Sequence, residues 1–127
     1  MKVKEKIKSY ILSSLVSKKN RKIGMEEEII IYNNHNERLP VNKGDVFSGE
    51  DLIKNLNVNL NIEKYSLEPG GQIEWSSEPY INLIDLSKAQ KHHRHRLEKV
   101  LMNNNLKVIS YGVEPNFFPE KINLIEE

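Results

Sequence analysis

Apolar positions change their spacing several times along the chain, and each change predicts an element. Val3, Ile7, Ile11 and Leu15 recur every four residues, with the lysines mostly elsewhere. That predicts an amphipathic helix of about four turns within residues 1–20. The run "KIGMEEEIIIYNN" is dense in β-formers and bounded by Asn33, Asn34 and Asn36, so it predicts one strand from about Lys22 to Tyr32. Strand side chains alternate, which puts Glu26 and Glu28 on one face and Met25, Glu27, Ile29 and Ile31 on the other.

Ser48 followed by Asp51 forms a weak capping box ahead of Leu52, Ile53 and Leu56, predicting a short helix. Val58, Leu60 and Ile62 then alternate with asparagines in a strand-like period of two, running into "EKYSLEP". Across Pro69-Gly70-Gly71 the arm "QIEWS" alternates again, with Gln72, Glu74 and Ser76 on one face and Ile73 and Trp75 on the other. The two glycines permit positive φ, so a tight reversal is expected here. Leu83, Leu86, Gln90, His93, Leu97 and Val100 follow three-four spacing to give a long helix ended by Asn103 to Asn105, and "LKVISYGVEP" predicts a closing strand.

Composition narrows the class. A chain of 127 residues supplies one modest core, and its net charge of +1 gives no overall pull toward nucleic acid. The absence of cysteine excludes disulfides and thiol chemistry by this chain. No apolar run approaches the roughly 20 residues that span a bilayer. The broken apolar stretch at the N-terminus does not make a signal peptide, so a cytoplasmic protein without membrane or nucleic-acid partners is expected. The tract His92-His93-Arg94-His95 places His92 and His95 one helical turn apart, but their cationic neighbours and the lack of a matched third ligand read as a solvated basic helix face.

The acidic residues raise the chemical question. Glu26 and Glu28 share a strand face, and Glu68, Gln72 and Glu74 crowd around the turn of "SLEPGGQIEWSSEP". Like charges at close range weaken a sheet. Taken residue by residue, the pattern leaves two readings: a solvated outer face, or a face that receives a cation.

"IGMEEE" at Ile23 to Glu28, the run from Ser66 to Ser76, a long helix and a strand ending "YGVEPNF" resemble, in that order, the N-terminal part of the plant-type and proteobacterial glutamate-cysteine ligases. That family carries Ile-Gly-x-Glu-x-Glu on a first strand, and a second segment reading Ser-Leu-Glu-Pro-Gly-Gly-Gln-x-Glu-x-Ser. Trp75 and Glu27 fall where the family varies. The resemblance extends from about Lys22 onward and implies an α+β fold: a partial glutamine-synthetase-like catalytic domain, its antiparallel sheet carrying helices packed on the outer face. The implied activity is ATP-dependent joining of the γ-carboxylate of L-glutamate to the amino group of L-cysteine, through an acyl phosphate, as the first step toward glutathione. By residue-for-residue transfer, Glu26, Glu28 and Glu74 are expected to hold magnesium (Mg2+), and Glu68 and Gln72 to line the substrate side. Family members are much longer, so residues 1–127 are expected to form a single incomplete domain. Three forms remain open: a truncated ligase, one half of a split ligase that needs a partner chain, or an acidic binding module without catalysis.

Overall fold

The computed structural model describes residues 2–44 and 46–109. Among the described residues the elements are, in chain order, α1 (Val3–Ser13), β1 (Glu26–Ile29), β2 (Ile31–Asn33), α2 (Gly49–Leu56), β3 (Lys64–Glu68), β4 (Gln72–Ser76), α3 (Leu83–Asn103) and β5 (Leu106–Val108), with a 3-10 turn at Lys18–Asn20. They form an α+β arrangement with two antiparallel sheets, one ordered β1-β4-β3 and the other pairing β2 with β5. The closing strand expected after Asn105 is present over Leu106–Val108, and the remainder of "LKVISYGVEP" beyond Ile109 lies outside the described residues.

The helix ends follow their cap chemistry. Ser48, fully buried, accepts from the Asp51 backbone N–H at 3.3 Å, and its own hydroxyl donates to Asp51 Oδ2 at 2.9 Å. This bond is the main reason the Asp51 carboxyl is held below the usual carboxylate range. Asn82 caps α3 in the same way, accepting from the Asp85 N–H at 2.9 Å. Arg96, on α3, donates to the Leu56 carbonyl at 3.2 Å, so the long helix satisfies one of the carbonyls left open at the end of α2.

Three expectations are corrected. The single strand from Lys22 to Tyr32 divides at Ile30, because β1 finds its partner in β4 whereas β2 finds its own in β5. The period-two stretch around Val58 and Ile62 is not a strand. Asn59 takes a positive φ of 62°, Val58 and Ile62 stay exposed, and pairing begins only at Lys64. The Asn57 side chain stands in for a missing neighbour strand there, donating to the Tyr65 carbonyl and accepting from the Tyr65 N–H, both at 2.8 Å. Finally, α1 is shorter than four turns, and its apolar side is not part of the core: Val3, Ile7 and Ile11 are 74%, 55% and 58% exposed.

The core lies between the three-stranded sheet and helices α2 and α3. Leu52 and Leu56 from α2, Ile73 and Trp75 from β4, Tyr65 from β3, and Ala89, Leu97 and Leu101 from α3 form its centre. His93 sits among them, 2% exposed. Its ring stacks on Trp75 at a centroid distance of 4.3 Å with the planes 6° apart, and its Nδ1 is 2.8 Å from the Tyr65 hydroxyl. The indole N–H of Trp75 donates to Glu63 at 3.3 Å, so the buried Trp75 is satisfied as well as packed.

The reversal between β3 and β4 is closed by the Gly71 N–H donating to the Glu68 carbonyl at 2.9 Å. Pro69 followed by Gly70 at φ 84° is the residue order of a type II turn. Gly71, at φ 80°, packs so tightly that an added Cβ would stand 2.6 Å from Val41 Cγ2. Gly71→Ala is therefore expected to destabilise the protein by about 1–3 kcal/mol in urea unfolding. Gly24→Ala, whose nearest neighbour is Ser77 Oγ at 4.0 Å, serves as the neutral control.

Burial lowers the His93 pKa to about 4, the nearby Glu27 carboxylate opposing this and Arg94 and Arg96 reinforcing it. An unfolded histidine titrates near 6.5. Between those values the unfolded chain binds more protons, so the contribution is complete at neutral pH and is lost as pH falls from about 6.5 to 4. Urea titrations across that window should show a loss on the order of 3 kcal/mol, and His93→Phe should remove that share of the pH dependence.

Candidate cation and substrate face

Strand alternation sends the side chains of β1, β3 and β4 to two sides of one sheet. Glu27, Trp75 and Tyr65 are cross-strand neighbours in one row, and all three reach His93 on the helix side. The next row, Glu28, Glu74 and Ser66, therefore points to the opposite side, where no described helix packs its apolar residues. Glu26, Ser76 and Lys64 make a second row on that face, and Gln72 and Glu68 a third beside the turn. All five residues singled out in the sequence, Glu26, Glu28, Glu68, Gln72 and Glu74, thus share one sheet face.

Glu28 and Glu74 are directly opposed across the β1–β4 pairing. Directly opposed side chains stand about 4.5–5.5 Å apart at Cβ, and two like charges there oppose pairing by several tenths of a kcal/mol. Each carboxylate has a neutral donor on one oxygen. Glu28 Oε2 accepts from Gln72 Nε2 at 3.2 Å, and Glu74 Oε1 accepts from Ser76 Oγ at 2.8 Å. The remaining oxygens are hard donors of the kind Mg2+ takes. Mg2+ commonly binds one or two carboxylates and completes its shell with water and phosphate oxygens, which an opposed pair suits. Glu26 stands one row away, and among the described residues no three His, Cys, Asp or Glu side chains are gathered to hold a metal ion. The donor chemistry fits the ion, and of the three glutamates Glu28 and Glu74 are the two that stand directly opposed.

Glu68 and Gln72 are the last cross-strand pair before the turn, so whatever fixes the turn fixes them. Arg38 does this by donating from Nη2 to the Gly70 carbonyl. It is delivered there by a tight reversal after β2, in which the Asn33 side chain accepts from the His35 and Glu37 N–H groups at 2.9 Å and Leu39 N–H returns to the Ile31 carbonyl. Sequence reasoning passed over Arg38. It also placed Glu27 only as a core-facing residue, without the Arg94 guanidinium that donates to its Oε1 at 3.2 Å. His93 was already on the apolar stripe of the long helix, and that position was the readable sign that it belongs to the core rather than to the basic tract around it.

No membrane-spanning helix is present among the described residues. No curated protein sequence matches the chain. A sequence profile of glutamate-cysteine ligase family 2 (GCS2) matches residues 22–127, a span that contains both acidic segments and the β3–β4 hairpin. The chain belongs to glutamate-cysteine ligase family 2.

Proposed function

We propose that this chain provides the magnesium and glutamate side of an ATP-dependent ligase that forms γ-glutamylcysteine, the first step of glutathione synthesis. The observation that carries the reading is the direct opposition of Glu28 and Glu74 across β1 and β4. A directly opposed like-charge pair weakens strand pairing unless a cation relieves it, and departures of this kind from local consistency concentrate at functional sites.

Glu28 and Glu74 would hold the ion, with Glu26 joining from the adjacent row. Held by these carboxylates, the ion would supply positive charge to offset the charge that develops during phosphoryl transfer. Gln72, already hydrogen-bonded to Glu28, ties the ligand row to the turn row. From that row Glu68 would accept hydrogen bonds from the ammonium group of L-glutamate, and the Gln72 amide would orient its carboxylate. Attack of the substrate γ-carboxylate on the γ-phosphorus of ATP forms an acyl phosphate and ADP. The amine of L-cysteine then displaces phosphate to give the amide. The chain's own residues contribute charge and positioning, the main currencies of this chemistry.

Glu26 and Glu28 are exposed on this face, so water exclusion and the clamp on the nucleotide would come from a further wall, in the rest of a longer polypeptide or in a partner chain. A cytoplasmic location, where ATP is available, accords with this reading.

Removing one carboxylate should weaken cation binding without harming the fold. Glu28→Gln or Glu74→Gln is expected to lower Mn2+ or Mg2+-ATP affinity roughly tenfold in calorimetric titration. The melting temperature should stay level or rise slightly, because a like-charge pair has been relieved. An affinity unchanged in both variants removes these residues from the ligand set.

The purified chain, incubated with ATP, Mg2+, L-glutamate and L-cysteine, is expected to bind nucleotide without releasing ADP, since among the described residues no wall faces the exposed Glu26 and Glu28. ADP and dipeptide formed in proportion to the chain, and lost in Glu74→Gln, would identify a minimal ligase instead. Replacing L-cysteine by other amines in an active assembly would decide the acceptor.

A further inference from the structure

We propose that Glu27 is a positioning residue for the cation pair on the opposite side of the sheet: through Arg94 and His93 it locks strand β1 to helix α3 and so sets where Glu28 stands relative to Glu74. The proposal rests on the cation reading above and adds a device that lies outside the site.

Among the described residues β1 is an edge strand, four residues long and paired only with β4. Short edge strands are the parts of a sheet that open most readily. Glu26 and Glu28 belong to this strand, whereas Glu74 belongs to the central one. The separation of Glu28 from Glu74 therefore depends on how firmly β1 is held.

Glu27 lies between the two glutamates, with its side chain on the helix face. Its Oε1 accepts from Arg94 Nη2 at 3.2 Å. Its Oε2 is buried and points at His93 Nε2, 3.7 Å away, and neither atom has a hydrogen-bond partner among the described residues. The other ring nitrogen is engaged by the Tyr65 hydroxyl at 2.8 Å. A phenol that donates to Nδ1 leaves the imidazole proton on Nε2, directed at the Glu27 carboxylate. Donor and acceptor are thus aimed at one another across a gap slightly longer than a hydrogen bond. His93 cannot follow β1 if that strand shifts, because Trp75 and Tyr65 hold its ring from the other two strands. The contact fixes the edge strand to a rigid reference, as groups behind a metal ligand fix the ligand.

Arg94→Met gives a test whose sign separates positioning from simple electrostatics. The Arg94 side chain is 60% exposed, so the variant keeps the core. Removing a positive charge should tighten cation binding by Coulomb attraction alone. Positioning predicts the reverse: Mn2+ affinity, measured from the free-ion electron paramagnetic resonance signal, falls about tenfold. Amide hydrogen exchange over Glu26–Ile29 should also accelerate several-fold relative to Tyr65 and Leu67, and Glu27→Gln should reproduce the exchange result. Unchanged or tighter Mn2+ binding in Arg94→Met, with β1 exchange as in the parent, overturns the proposal. If the parent protein itself retains no Mn2+, the cation reading falls. Exchange then still judges the lock: faster β1 exchange in both variants upholds it and unchanged exchange refutes it.

Discussion

His93 stacks on Trp75 at 4.3 Å, meets the Tyr65 hydroxyl at 2.8 Å and faces Glu27 at 3.7 Å, and these partners come from the three strands of one sheet at one register level. A single imidazole from α3 therefore touches every strand that carries a candidate site residue. Its burial requires it to stay neutral at physiological pH, and neutrality requires that its ring nitrogens be used economically. Because strand side chains alternate, fixing this row toward the helix fixes the rows on either side of it toward the other face. The acidic face is set by the core contact behind it.

That dependence explains how the sheet tolerates opposed glutamates. Trp75, Ile73 and Tyr65 are almost fully buried, and burying side chains of this size stabilises by about 1.5–3 kcal/mol each. Opposed like charges cost less than 1 kcal/mol. Core burial on one face wins by a wide margin, so the other is free to carry residues that do not help folding. Family membership gives those residues a chemical context, and the register sets Glu28 directly against Glu74 on the face proposed to receive a cation.

Much of this was legible in the sequence. The alternation of Glu26 to Ile29 and of Gln72 to Ser76 put Glu26 with Glu28, and Gln72 with Glu74, on one face of their strands, and the cap Ser48 opens its helix as local chemistry requires. What could not be read was set by distant partners. "EEEIIIY" is uniformly β-forming, and only pairing with β4 on one side and β5 on the other divides it at Ile30. The alternating asparagines before Lys64 imitate a strand, yet Asn57 has already satisfied the Tyr65 backbone. The four-residue repeat of α1 announces a helix without saying what, if anything, covers it. His93 showed its burial through helical spacing, but its partners lie on three strands and no local pattern names them.

The most direct measurement is a crystal structure of the protein soaked with Mn2+ and a nonhydrolysable ATP analogue, recorded at a wavelength where manganese scatters anomalously. The account predicts an anomalous peak on the sheet face opposite His93, within coordination distance of carboxylate oxygens from both Glu28 and Glu74, with the Glu27, Trp75 and Tyr65 row still gathered on His93. Bound nucleotide with no peak between those two carboxylates, or a peak held by other residues while Glu28 and Glu74 turn to solvent, would contradict it.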